Sequence, residues 1–216
     1  MRRILTFVTL ILMVMAIPVN AGISSVHLGY GSGLMVESST AEAEREKLSL
    51  LSLSGDWLFP ETRWGLGVDL AASGTDFTFG SGLQRLKVGL IFDWDNVRFF
   101  AGPTWTIYRS GQGPKTELEG IEFGGSARVD FTDNLHLEGL FSFAPLLQGV
   151  SITLPDPTFD TLFSGNISEY YFGLSYDLGK RVSATIGLGG WRVLEPVLQD
   201  RLVTVDYRRL GLKYTF

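Results

Sequence analysis

Ile121-Glu122-Phe123-Gly124-Gly125-Ser126-Ala127-Arg128-Val129-Asp130-Phe131 is apolar or small at every odd position and charged, Ser or Gly at every even one. A period of two places successive side chains on opposite faces of an extended chain, so this stretch is a strand with one apolar and one polar face. The same alternation recurs on both sides of it. Trp64, Leu66, Val68 and Leu70 alternate with Gly65, Gly67 and Asp69, and Leu86, Val88, Leu90, Phe92 and Trp94 alternate with Lys87, Gly89, Ile91 and Asp93. Tyr170, Phe172, Leu174, Tyr176 and Leu178 alternate with Tyr171, Gly173, Ser175 and Asp177. No segment of helix length shows a comparable 3.6-residue period.

Ten such segments are read, at about 23–37, 46–59, 63–74, 84–95, 97–109, 117–131, 135–145, 167–178, 181–193 and 200–216. The connections alternate in kind. Those at Pro60-Glu61, Asp95-Asn96, Thr132-Asp133-Asn134 and Gly179-Lys180 are tight. Those at 38–45, 75–83, 110–116, 146–166 and 194–199 are longer and polar or rich in Gly and Pro. An even strand count with alternating short and long connections is the plan of a bacterial outer-membrane barrel. The expected fold is therefore all-β, a single antiparallel transmembrane β-barrel of ten strands, with eight as the alternative.

The polar face carries many glycines, among them Gly65, Gly67, Gly89, Gly124, Gly173, Gly187 and Gly189. A narrow lumen has little volume, and glycines there make room for a few large side chains. The apolar face then points outward. Trp57, Phe59, Trp64, Trp94, Phe99, Phe131, Tyr176, Tyr214 and Phe216 gather near the short turns and are expected to form one aromatic girdle. Trp105, Phe141, Phe143 and Tyr170 are expected to form the other.

Composition narrows the chemistry. The 216 residues carry a formal charge of −5, no Cys and only two His, His27 and His136. The charge speaks against nucleic acid as a partner. The missing Cys excludes disulfides, thiolate metal sites and a cysteine nucleophile. No metal site and no cofactor is expected.

Met1-Arg2-Arg3, the apolar run Ile4 to Ile17, Pro18 and the small residues Val19 and Ala21 have the layout of a secretory signal peptide. The run has 14 residues, short of the ~20 a spanning helix needs. Residues 1–21 are expected to be removed and 22–216 to form the barrel. The chain is then expected in the bacterial outer membrane, after export through the periplasm.

The C-terminus, Arg209-Leu210-Gly211-Leu212-Lys213-Tyr214-Thr215-Phe216, resembles the terminal assembly signal of outer-membrane β-barrel proteins. Arg209, Gly211, Tyr214 and Phe216 occupy its four key positions. The resemblance is to the broad class of small outer-membrane barrels. It implies insertion by the general barrel-assembly machinery and outer-membrane lipid as the surrounding partner.

Tight turns fix register. Phe131 opposite Leu135 sets Asp130 opposite His136 and Arg128 opposite Glu138, and Trp94 opposite Val97 sets Asp93 opposite Arg98. With Glu122, these residues are expected to form a charge network filling the lumen, Arg128 pairing with Glu138. Inward Phe100, Tyr108, Tyr171 and Trp191 are expected to block it further. The leading function is an integral outer-membrane protein without enzymatic activity, serving envelope structure or surface interaction. A small ion or solute channel and an outer-membrane hydrolase built on His136, Glu138, Asp130 and Ser142 are the alternatives. The apolar segment 146–166 is read as an external loop, folded over the barrel mouth or extending the strands, or binding an extracellular ligand or protein.

Overall fold

The computed structural model describes residues 24–38, 43–74, 82–109, 115–152, 159–195 and 201–216. The expected leader at 1–21 and part of each long connection lie outside the described residues. The strands are β1 (Ser24–Ser38), β2 (Ala43–Leu58), β3 (Trp64–Gly74), β4 (Gly82–Trp94) and β5 (Val97–Arg109). β6 (Lys115–Asp130), β7 (Leu135–Ile152), β8 (Phe159–Asp177), β9 (Val182–Glu195) and β10 (Arg201–Thr215) follow. Each pairs antiparallel with its chain neighbours, and β10 closes on β1 from Ser25↔Thr215 to Ser38↔Leu202. The chain is a closed ten-stranded barrel, and the eight-strand alternative falls. One end carries the four short turns and is called the turn end; the other is the loop end.

The alternation sorts the two faces. On β4, Leu83 is 0 % exposed and Arg85 3 %, whereas Leu90 is 52 % exposed. Leu28, Leu51, Ile121, Phe141, Phe172 and Leu212 are likewise exposed, so an apolar belt surrounds the barrel. A soluble monomer rarely exposes such continuous apolar area. Trp64, Trp94, Phe131, Tyr176 and Phe216 ring the turn end outside that belt, as a girdle at a membrane boundary would. Trp57 departs from the expectation: its ring lies over Gly55 and is almost covered.

The tight turns hold as read. Asp95 adopts φ 54° as the first residue of the two-residue connection Asp95-Asn96, the hand that suits the right-handed twist of a hairpin. Phe131 N–H donates to the Leu135 carbonyl at 2.9 Å, fixing the register of β6 on β7.

The segment 146–166 takes the strand-extending form among those expected for it, and the strand bounds expected at 145 and 167 are corrected. β7 runs on to Ile152 and β8 begins at Phe159, so most of the expected loop is strand. The pairing shifts between Ala144 and Leu147, where Pro145 and Leu146 together oppose one residue of β8. This is a bulge, which tolerates a proline because its residue makes no ladder hydrogen bond. Pro145 therefore does not end the strand. The extra residue flips the alternation: Leu146 is 78 % exposed and Leu147 1 % exposed, turned into the lumen.

Candidate functional site

The lumen divides into three tiers. Towards the loop end the inward positions are apolar: Met35, Leu48, Leu50, Leu83, Leu118, Leu147, Ile167, Val193, Val203 and Val205 pack with Tyr108 and Trp191 into one core. This core is a plug, and it fills the tier with side chains from strands all round the barrel.

Below it lies a cluster of four buried charges. Arg85 and Lys87 sit two apart on β4 and so share the inner face. Glu122 comes from β6 and Glu169 from β8, across the lumen. The Arg85 guanidinium binds the Glu122 carboxylate, and its Nη1 donates to Glu169 Oε2 at 2.9 Å. Lys87 Nζ lies 2.7 Å from Glu169 and 3.7 Å from Glu122. Ser142 donates to Glu169 at 3.3 Å, and Lys87 stands 5.7 Å from the Phe100 ring centroid. Asp69, the register partner of Lys87 on β3, borders the same cluster, and buried charges persist only when paired.

The turn-end tier is polar and open. A cavity of about 350 Å³ reaches the Asp95-Asn96 turn and is lined by Asp56, Asp93, Arg98, Arg128, Glu138, Arg209 and Lys213, among others. Arg98 holds Asp93 through two hydrogen bonds of 2.6 and 2.9 Å and also binds Asp56. His136 is clamped between Asp130, 2.7 Å from Nδ1, and Asp177, 2.9 Å from Nε2. His27 lies 3.0 Å from Thr185. Between this tier and the cluster, the Tyr171 ring occupies the space a side chain at Gly187 would need, and Arg209 stacks on that ring at 4.3 Å. Phe100, Tyr171 and Trp191 all face the lumen, as read.

The expected network is therefore split. Asp93 pairs with Arg98. Arg128, Asp130 and His136 meet, and Asp177, which the sequence reading missed, completes that group. Glu122 stands apart in the middle cluster, with Arg85, Lys87 and Glu169 as missed partners. The Arg128–Glu138 pair is a correction. The two are register partners, but the Arg128 guanidinium turns to Asp130 at 2.9 Å and Asp177 at 3.9 Å. Glu138 makes no ion pair among the described residues. An arginine side chain is long enough to choose its acceptor regardless of strand register.

The hydrolase set is not assembled. Both His136 ring nitrogens are engaged by carboxylates, so neither is placed to take a proton from Ser142, which is bonded to Glu169 in another tier. Among the described residues, no group of three His, Asp or Glu side chains is placed to hold a metal ion. At the C-terminus, Arg209 faces inward, Gly211 leaves room for the His27 ring, and Tyr214 and Phe216 meet edge to face at 4.8 Å on the outside.

No protein-family model matches the chain, and no curated protein matches it. Solved structures do. The outer membrane protease OmpT of Escherichia coli is similar with a TM-score of 0.52 at 11 % identity, over 94 % of this chain and 100 % of that one. This is the fold of a bacterial outer-membrane β-barrel. Other barrels of that class are also similar. Neisserial surface protein A gives a TM-score of 0.45 at 11 % identity, over 88 % of this chain and 97 % of that one. The attachment invasion locus protein Ail of Yersinia pestis gives 0.39 at 14 %, over 91 % and 99 %. At such identities the likeness is one of fold. The fold by itself commits the chain to no one function.

Proposed function

We propose that this chain is an integral protein of the bacterial outer membrane, closed to solutes, with a structural or surface-interaction role rather than a catalytic one. Its short turns and C-terminus face the periplasm and its longer connections the exterior. One observation carries this reading: the apolar plug and the charged cluster obstruct the lumen in series. The plug closes the lumen: Leu83, Tyr108 and Val203 are each 0 % exposed, whereas the turn-end cavities reach only as far as Lys87 and Glu169 of the charged cluster. Barrels this narrow are filled by side chains, whereas water-filled porins need about 16 strands.

Conductance tests it. The refolded protein in planar bilayers is expected to give no stable single-channel steps. Steps of general-porin size would overturn the closed-lumen reading and make the channel alternative the leading one. The hydrolase alternative has a separate test: His136→Ala is expected to leave any envelope phenotype intact, because that side chain is a clamp between two carboxylates. Recognition by the assembly machinery is read from Tyr214 and Phe216. Deleting Phe216 is expected to lower outer-membrane yield and to abolish the heat-modifiable migration of the folded barrel.

A further inference from the structure

The outer surface of the barrel carries an arginine, Arg208, that makes no ion pair among the described residues. Arg208 is exposed on the outer face of β10, between Leu210 and the inward Tyr207. Its register partners are Ser32 on β1 and Leu188 on β9. No ion pair or hydrogen bond holds its guanidinium among the described residues. The next outward residue, Asp206, accepts from the Tyr170 hydroxyl at 2.5 Å, and among the described residues no ion pair joins it to Arg208. That bond crosses β9 over Gly190, where a Cβ would lie 2.8 Å from both oxygens. A groove of about 270 Å³ runs beside Arg208 over β1, β10 and β9, walled by Tyr30, Ser32, Ile186 and Leu210.

The depth of this arginine identifies what it meets, given the reading that the barrel spans a membrane. Arg208 lies eight residues along β10 from Phe216 in the turn-end girdle. At ~3.3 Å per residue and a strand tilt of ~45°, that is roughly 19 Å. An outer-membrane barrel has an apolar band ~25 Å tall, so Arg208 starts just beneath its loop-end boundary. An arginine there extends its head towards the headgroups while its stem lies on apolar surface. The groove gives that stem, and an acyl chain beside it, an apolar wall of Ile186 and Leu210. A guanidinium with five donors and no acceptor among the described residues fits a phosphate oxygen pair.

We propose that Arg208, with the Ser32 hydroxyl beside it, binds the phosphate of a lipid in the leaflet nearest the loop end, the acyl chain lying along the Tyr30–Ile186–Leu210 groove. The ligand class is a phosphorylated lipid, and the recognising chemistry is guanidinium to phosphate.

Native mass spectrometry of the refolded full chain in detergent tests this, with phosphatidic acid and diacylglycerol as probes. Phosphatidic acid is expected to remain bound and diacylglycerol to be lost. Arg208→Gln is expected to weaken phosphatidic acid binding roughly tenfold, the effect of one charge-assisted contact. Arg208→Lys is expected to keep part of it, and Arg63→Gln at the turn end to keep all of it. Ser32→Asp sets a carboxylate opposite Arg208 and is expected to weaken binding with the arginine still present. Equal retention of the two probes, or unchanged binding by both Arg208→Gln and Ser32→Asp, would overturn the site. Displacement of the lipid by millimolar inorganic phosphate would overturn its assignment to lipid and leave a free anion as ligand. Heat-modifiable migration and protease protection in vesicles, measured on the same samples, separate the two readings. Wild-type chain that failed to insert would take down the spanning barrel and this site together. Insertion with unaltered binding by the variants would take down the site alone.

Discussion

The two halves of the lumen solve the same problem with opposite chemistry. Towards the loop end, side chains from all ten strands fill the barrel with aliphatic and aromatic groups. Towards the turn end, charged pairs surround a cavity of about 350 Å³. An apolar filling is stabilised by area removed from water, and each residue contributes on its own account. A charged filling is stabilised only as a set, because one missing partner leaves another charge buried and unpaired. The first half should respond to substitution gradually and additively, the second abruptly and with strong coupling.

The sharpest way to break that contrast is in the middle cluster. Arg85→Ala leaves Glu122 buried without its closest partner and is expected to cost about 3–5 kcal/mol, read from urea unfolding of the barrel in lipid vesicles. The double change Arg85→Met/Glu122→Met leaves Lys87 and Glu169 as a balanced pair at 2.7 Å and is expected to recover much of the loss. A double variant no more stable than the single one would mean that the cluster does not act as a set. A smaller effect is expected in the plug. Ile167→Val removes one methylene group from a site 1 % exposed and is expected to cost about 0.5–1.5 kcal/mol, independent of any change in the cluster. Coupling between Ile167→Val and Arg85→Ala of more than ~0.5 kcal/mol would show that the halves are not separate. The smallest effect is expected at the turn end, where Arg128 is partly exposed. The cycle of Arg128→Ala and Glu138→Ala is expected to be additive within ~0.5 kcal/mol, because the two side chains are not paired. A larger coupling would restore the pair that register alone predicts.

What the sequence revealed follows the same division. Register across tight turns was legible, because a connection of fixed length admits one alignment of two strands. Asp93 with Arg98 and Asp130 with His136 both follow from it. Arg85 and Lys87 were visible as polar residues on the inner face of β4. Their partner on β8 was not, because which residues meet across a barrel depends on its shear and closure, and these are properties of all ten strands together. The bulge at Pro145 was hidden for a local reason. Proline ordinarily ends a strand's hydrogen bonding, so the residues after it read as a loop, and nothing in the alternation marks Leu147 as belonging to the plug.

The pairing of β1 with β10 has a consequence in time. Ser25 meets Thr215, and Ser38 meets Leu202, so the contacts that complete the barrel join residues from opposite ends of the chain. Contacts of long sequence separation form slowly, because the entropy of bringing the ends together is lost before any pairing rewards it. The tenth strand of the barrel must find the first. Until it does, each of the two carries a row of unpaired backbone groups that another chain could occupy. A chain that lost β10 would therefore be a different object from a shorter barrel. It would be an open sheet with two sticky margins, arrested at the step before closure.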